Sequence, residues 1–318
     1  MKKLSILITV LNEEDNIKPL LEEIHQALQG FDYEIVIVDD GSTDRTRPNI
    51  RREANHRVKL VELTKNYGQS TAMAAGIDAA EGEFLVTMDG DLQNDPHDIP
   101  AMLKKLEDGE WDLVAGYRKN RQDKMLSRKL PSRLANSLIR WLTGVKITDY
   151  GCTLKVYRVD IARGLGLYGE LHRFIPALAF MQGARITEVP VNHRSRKYGQ
   201  SKYRLSRTFK VISDLILIVF FQKYLVRPMH LFGVAGFIIL VVGIFINLYL
   251  AALKIAGQDI WGKPLLILGL LLTLGGFQLI TTGIITELLM RTYYESQNKK
   301  TYKIRNTFVG KEKKAGVE

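Results

Sequence analysis

Two acidic constellations in the first third of the chain carry groups able to do chemistry. Val38-Asp39-Asp40-Gly41-Ser42-Thr43-Asp44 closes a short apolar run. A carboxylate at that place accepts N–H bonds from a base edge or O–H bonds from a ribose. Asp, Gly, Ser and Thr also build helix-capping turns. Capping accounts for Ser42 or Thr43 but does not require two adjacent acids. Met88-Asp89-Gly90-Asp91-Leu92-Gln93 closes a second apolar run. Two carboxylates two residues apart beside a glycine converge on one side of a turn. Their oxygens suit Mg²⁺ or Mn²⁺, ions that in turn hold a diphosphate. A calcium loop is excluded, because no terminal Glu follows at EF-hand spacing. The lone Cys152 excludes an intramolecular disulfide framework and a Cys-cluster zinc site, and reads as structural in a buried turn.

The elements that must position these acids are legible as short apolar runs separated by helical patterns. Strands are expected at Leu4–Val10, Glu34–Val38, Val58–Leu63, Glu83–Met88 and Asp112–Ala115. Helices are expected at Glu14–Gln29, Thr43–Ala54, Gln69–Ala80 and Asp98–Leu106, with Thr43 and Asp98 near N-termini and Gly30 and Gly82 as stops. This alternation predicts an α/β fold, a Rossmann-like, mostly parallel sheet whose ligands sit outside the carboxyl ends of the strands. Beyond Ala115 the alternation lapses. Residues 117–130 read as a basic loop, Ser132–Leu142 and Phe174–Met181 as helices, Leu154–Arg158 and Ile186–Val191 as further strands, and 192–203 as a polar loop.

The last third has a different character. Leu231–Leu253 and Leu265–Thr286 contain no Asp, Glu, Lys or Arg, and each is long enough for a transmembrane helix, which needs roughly 20 residues. A mean hydropathy of −0.06 conceals this segregation. Ahead of the first span, Leu205, Phe209, Ile212, Ile216 and Val219 form one apolar stripe, the pattern of an interfacial amphipathic helix. The net charge of +11 is equally uneven. Residues 1–116 carry 12 basic and 23 acidic groups, whereas 117–146 and 191–227 each carry 9 basic and 1 acidic. Nucleic acid is a poor partner for such windows, which abut apolar spans and lack interleaved stacking aromatics. Anionic lipid, or a phosphorylated substrate at a bilayer, matches them better. Basic flanks outside both spans place the N-terminal part and the tail in the cytoplasm. Glycines along both spans permit close packing, between the two spans or in a homo-oligomer. The expected division is 1–203 globular and cytoplasmic, 204–229 amphipathic, 230–290 two transmembrane helices, and 291–318 a basic cytoplasmic tail.

Asn12-Glu13-Glu14, Asp39-Asp40-Gly41-Ser42, Asn66-Tyr67-Gly68 and Asp89-x-Asp91-x-Gln93 follow successive strands, and this set resembles family 2 glycosyltransferases of the GT-A fold. Asp149-Tyr150-Gly151-Cys152, His172-Arg173-Phe174-Ile175-Pro176 and Arg196-x-x-Gly199-x-Ser201-Lys202 narrow the resemblance to polyisoprenyl-phosphate glycosyltransferases, among them bactoprenol glucosyltransferases and dolichyl-phosphate mannose synthases. The resemblance implies that Leu11, Glu13, Asp40 and Asp89 hold the nucleoside diphosphate. It implies that Asp89, Asp91 and Gln93 hold Mg²⁺ or Mn²⁺, and that Arg196, Ser201 and Lys202 close over the diphosphate. Asp149 falls near the reacting centre and, with Asp89, is expected to be catalytic. Arg118, Arg128 and Arg133 in the first basic window are expected to receive the lipid phosphate, and His172 and Arg173 to form a supporting polar pair. The strand-one end reads Thr9-Val10-Leu11-Asn12 where many members have Pro-x-Tyr-Asn, so no ring stacks on the base from position 11.

The implied reaction is inverting transfer of one sugar, glucose from UDP-glucose, to undecaprenyl or another polyprenyl phosphate, giving a lipid-linked sugar for cell-envelope glycans. GDP-mannose or a modified UDP-pentose is the alternative donor. A non-catalytic lipid-sugar or flippase partner is the alternative of another class, and the intact Asp89-x-Asp91 pair argues against it. A lipid phosphate is already anionic near pH 7, so Asp149 is expected to orient groups rather than act as a strong base.

Overall fold

The computed structural model describes residues 4–118, 140, 143–195 and 228–296. Two compact units result, dividing at Phe220. The first is a seven-stranded sheet: β1 (Leu4–Val10), β2 (Tyr33–Asp39), β3 (Val58–Glu62), β4 (Phe84–Asp89), β5 (Leu113–Arg118), β6 (Lys155–Arg158) and β7 (Ile186–Val191). Their spatial order is β3-β2-β1-β4-β6-β5-β7. Every pairing is parallel except those of β6, which inserts antiparallel between β4 and β5. The α/β expectation therefore holds, with one antiparallel strand inside a mostly parallel sheet.

Two apolar layers cover the sheet, because alternate residues of each strand face opposite sides. Leu4, Ile6, Ile8 and Val10 pack with α1 (Ile17–Ala27) and, through β4 and β6, with α4 (Ile99–Asp108). Both helices present residues at i, i+3, i+4 and i+7: Ile17, Leu20, Leu21 and Ile24 in one, Ile99, Met102, Leu103 and Leu106 in the other. Leu7, Val36, Val38 and Leu85 face the opposite layer, built from α3 (Gln69–Ala79), α5 (Val159–Arg163) and α6 (Ile175–Met181). Each of these fully buried aliphatic side chains contributes about 1.5–3 kcal/mol. Gly76 lets α3 lie directly on the sheet, since a Cβ there would stand 2.0 Å from Leu7 Cδ1.

Several expected boundaries shift. The helix after β2 is α2 (Thr46–Glu53), so Thr43 is not its cap. Asp44 Oδ1 instead accepts the Thr46 N–H at 2.9 Å. Asp98 does not cap α4 through its side chain; it accepts from the Asn192 N–H at 2.7 Å. Residues 117 and 118 continue β5 rather than opening a loop. The expected amphipathic segment Arg204–Val226 lies outside the described residues, as does Ser132–Leu142 except Arg140.

The second unit is a hairpin of two helices, α7 (Met229–Ile255) and α8 (Pro264–Ser296), each long and apolar enough to cross a membrane. Its glycines serve the contact between the two helices. A Cβ at Gly276 would come within 2.4 Å of Leu240 N, and one at Gly243 within 2.5 Å of Thr273 N. Phe237, Phe245, Leu274 and Phe277 point outward, as lipid-facing residues do.

Candidate active site

Register sets two acidic groups at one edge of the sheet. Thr9 of β1 is level with Asp89 of β4, and Val10 is level with Asp39 of β2. The two carboxylates thus stand at the carboxyl edge on either side of the central strand. Beyond Val10 the chain passes Leu11 and turns at Asn12, whose φ of +52° is left-handed. Asn12 Oδ1 accepts the Thr43 N–H at 2.8 Å, and the Asn12 N–H donates to Ser42 Oγ at 2.9 Å. The Glu13 N–H donates to Thr46 Oγ1 at 2.9 Å, and its carboxylate accepts from Asn16 Nδ2 at 2.6 Å. Leu11 and Glu13 therefore sit in a loop braced against residues 42–46.

The adjacent acids of β2 have separate jobs. Asp39 is 0% exposed. Its Oδ1 accepts from Arg47 Nε at 2.6 Å and from the Ser42 N–H at 3.0 Å, while its buried Oδ2 has no hydrogen-bond partner. Asp40 spends both oxygens on backbone: Oδ1 accepts the Tyr67 N–H at 2.7 Å and Oδ2 the Gly68 N–H at 2.9 Å. It ties the loop before α3 to the end of β2. Gly41 completes this approach, because its φ is +82° and a Cβ there would stand 2.6 Å from Asn66 N. Of the two acids, Asp39 rather than Asp40 keeps an uncommitted oxygen, and adjacency in sequence gave no way to choose.

Asp89 is anchored on both sides. Gln69 Nε2 donates to its Oδ1 at 2.9 Å and Thr153 Oγ1 to its Oδ2 at 3.0 Å. Burial, then the charge of Asp91, raises its pKa to about 6, against the opposing pull of Thr153, Lys155 and Gln69. Asp91 is buried, and its Oδ1 accepts the Gln93 N–H at 3.1 Å across Leu92, which is left-handed at φ +61°. Gln93 donates its side-chain amide to the Arg194 carbonyl at 3.3 Å, and the Arg194 N–H returns to the Gln93 carbonyl at 2.9 Å. Arg194 is itself fixed by Glu23 at 2.7 Å and Asp95 at 2.9 Å. The acidic turn is thereby laced to Arg194. Arg196, Ser201 and Lys202 lie outside the described residues, as do Arg128 and Arg133.

Arg118 and Asp149, expected in different roles, form one pair. Arg118 Nε donates to Asp149 Oδ2 at 2.6 Å and Nη2 to Oδ1 at 2.9 Å, with each side chain 12% exposed. The Gly151 N–H adds a bond to Oδ1 at 3.1 Å. From Asp149 a short strap runs to β6. Its Thr153 holds Asp89, and the Thr153 carbonyl accepts from Thr87 Oγ1 at 2.9 Å. Its Cys152 is buried, and burial pushes the thiol up. Lys155, 2% exposed, donates its ammonium to the Cys152 carbonyl. Burial pushes Lys155 down, and the nearby charges of Cys152, Asp149 and Asp89 pull it the other way. His172 and Arg173 each have a partner from another segment or turn. Ser70 Oγ accepts the His172 N–H at 3.0 Å and is hydrogen-bonded to Nδ1 at 2.8 Å. Arg173 faces Glu170 at 3.8 Å. Sequence reasoning passed over Asp39's open oxygen, Gln69, Thr153 and Lys155. Only Lys155 left a signal, as a cation beside the apolar pair Val156-Tyr157.

The profile of the family described as "Glycosyl transferase family 2" matches residues 5–166. Over 314 residues the chain is 46% identical to a dodecaprenyl-phosphate galacturonate synthase of Rhizobium johnstonii (strain DSM 114642 / LMG 32736 / 3841), covering 96% of this chain and 93% of that one. It is 34% identical over 307 residues to an undecaprenyl-phosphate 4-deoxy-4-formamido-L-arabinose transferase of Enterobacter sp. (strain 638), covering 94% and 92%. Among solved structures, glucosyl-3-phosphoglycerate synthase from Mycobacterium tuberculosis, in complex with Mn²⁺, UDP-glucose and phosphoglyceric acid, superposes with a TM-score of 0.53. The identity is 16%, and the match covers 70% of this chain and 79% of that one. At that identity the likeness shows the GT-A fold alone.

Proposed function

The chain belongs to glycosyl transferase family 2 and is a glycosyltransferase, and from that premise we propose that it moves one sugar from a nucleoside diphosphate sugar to polyprenyl phosphate at a membrane, with inversion at the anomeric carbon. The observation that carries this reading is the register across β1, which sets the Asp89-x-Asp91 turn and Asp39 on either side of one strand end. Full-length similarity to two polyprenyl-phosphate sugar enzymes supports the acceptor.

The donor expected from sequence was glucose. The two relatives name galacturonate and 4-deoxy-4-formamido-L-arabinose instead. The reading we adopt is a UDP-linked galacturonate donor, supported by the 46% identity.

Leu11, Glu13 and Asp39 line the nucleoside end of the site, and Asp40 shapes the loop beside it. Asp89 and Asp91 fit a divalent cation. They are two carboxylates in one buried turn, where burial first and then the charge of Asp91 raises Asp89 to about 6. Mg²⁺ and Mn²⁺ take one or two carboxylates plus phosphate oxygens, so a pair suffices. When bound, the ion neutralises charge on the departing diphosphate. Arg196, Ser201 and Lys202, which follow the Gln93-bound Arg194 in sequence, would hold the same diphosphate. Arg118, oriented by Asp149, receives the lipid phosphate with Arg128 and Arg133. Because Asp149 gives both oxygens to a guanidinium, it works as an orienting group and not as a proton acceptor. The attacking phosphate oxygen is already anionic and needs no base, so direct in-line attack breaks the bond to the diphosphate without a covalent enzyme intermediate. The α7–α8 hairpin anchors the chain in the membrane, with both flanks cytoplasmic.

The test uses purified protein in detergent with undecaprenyl phosphate, Mg²⁺ or Mn²⁺, and a panel of labelled UDP-galacturonate, UDP-glucose, a UDP-formamido-arabinose and GDP-mannose. Label from one donor should pass into organic solvent and be lost with Asp91→Ala. Label from UDP-glucose alone would restore the first expectation. No lipid label from any donor would overturn the proposal.

A further inference from the structure

Lys155 is a cation buried where a soluble domain rarely places one. Its strand runs antiparallel between β4 and β5, and its backbone is level with Thr87 on one side and Ala115 on the other. Directly opposed residues of an antiparallel pair share a face, and so do residues two apart along a strand. Lys155, Thr87 and Asp89 therefore project from the same side of the sheet. Thr87 and Asp89 are both tied to Thr153, and the Lys155 ammonium is tied to the Cys152 carbonyl next to it. The charges of Asp89 and Asp149 both act on that ammonium. Asp89, Asp91 and Asp149 thus lie near Arg118 and Lys155 among the described residues. Arg118 is gripped by Asp149, and the charge of Lys155 acts on Asp89.

We propose that Lys155 is the built-in counter-cation of the Asp89-x-Asp91 turn, keeping that turn from holding a divalent ion tightly until a nucleoside diphosphate adds its own negative charge. Metal and nucleotide then load together, and the metal leaves with the spent diphosphate. The inference rests on the reading of Asp89 and Asp91 as the metal-holding pair. Lys155 touches neither substrate nor metal in this account and is a positioning residue acting through charge.

The experiment measures free Mn²⁺ by electron paramagnetic resonance with the full-length protein in detergent, with and without UDP. Wild type should bind Mn²⁺ weakly alone and at least tenfold more tightly with UDP. Lys155→Gln keeps an N–H for the Cys152 carbonyl and removes the charge. It should bind Mn²⁺ alone about tenfold more tightly than wild type, with a smaller gain from UDP, while Lys155→Arg should resemble wild type. A merely structural lysine predicts the opposite sign, because a loosened strap would weaken Asp89 and Mn²⁺ together. Equal or weaker Mn²⁺ binding in folded Lys155→Gln overturns the proposal. So does a wild-type affinity indifferent to UDP, which needs no variant to fold. Asp91→Asn separates the two readings: if it binds Mn²⁺ like wild type, the metal-pair reading itself fails.

Discussion

Asp149 grips Arg118 with both carboxylate oxygens, across 31 positions of sequence, at 2.6 and 2.9 Å. The fork of a guanidinium matches a carboxylate in a way an ammonium cannot. Arg118 is the last residue of β5, and Asp149 opens the strap that leads into β6. Their bond fixes the direction of Arg118 at the edge of the sheet.

Arg118→Lys should therefore raise the KM for polyprenyl phosphate at least tenfold and lower kcat, with little change for the sugar nucleotide. Asp149→Asn leaves the largely buried Arg118 without its carboxylate and should cost about 2–4 kcal/mol of stability as well as activity. Thermal unfolding and acceptor-dependent kinetics on both variants check this. If Asp149→Asn removed activity while leaving acceptor KM and stability untouched, a direct role at the reacting carbon would replace the orienting one.

Asp40 supports a second prediction. Its two oxygens hold consecutive backbone N–H groups, at Tyr67 and Gly68. Asp40→Ala strands both donors, at about 1–3 kcal/mol. Gly41→Ala adds a Cβ that meets Asn66 N at 2.6 Å with φ at +82°, a conformation that costs a residue with a side chain about 1–3 kcal/mol before any clash. Both variants should lower the melting temperature and raise the sugar-nucleotide KM. Asp39→Asn, which keeps an acceptor for Arg47, should raise that KM with a smaller loss of stability.

Much of this site was legible in the sequence, because its parts follow short apolar strands. β1 and β7 begin and end where their apolar runs do, and the Asp89-x-Asp91 turn falls at a strand end. What escaped was non-local. No period marks β6 as antiparallel, since its neighbours β4 and β5 are chosen by register. Arg118 and Asp149 were placed in separate roles because nothing along the chain links them. Asp39 and Asp40 are chemically identical neighbours, and only their partners, Arg47 for one and the Tyr67–Gly68 backbone for the other, tell them apart. The Gln69 and Thr153 bonds to Asp89 come from distant segments, so the strength of its anchoring was invisible.

Arg194 yields a third prediction. It links Glu23 and Asp95 while its backbone is bonded to Gln93. Burial pushes Asp95 up, yet its bonds from His97 and Arg194 bring it below the usual carboxylate value. Arg194→Ala frees two carboxylates and loosens the tie to Gln93. The sugar-nucleotide KM should rise about tenfold with a modest fall in melting temperature, and Arg194→Lys should recover only part of it. Unchanged kinetics would show that the lacing to Gln93 is dispensable.

The acidic pair gives a pH dependence with a definite sign. Burial and Asp91 raise Asp89 from 3.8 to about 6 in the folded, metal-free chain. Between those values the folded protein holds a proton that the unfolded chain has released. The stability this contributes is fully present below pH 3.8 and is lost as pH rises through 6. A divalent ion requires the carboxylate, so it must displace that proton at low pH and meets no such competition above about 7. Mn²⁺ affinity should therefore fall as pH drops from 7 to 5, steepening toward a tenfold loss per pH unit, and remain flat from 7 to 8. Asp91→Glu, which keeps the neighbouring charge, should preserve the shape of the curve if it binds metal at all. Titrating free Mn²⁺ by electron paramagnetic resonance across that range decides the matter. A flat profile down to pH 5 would mean that Asp89 is ionised throughout and that Asp91 and burial do not crowd it.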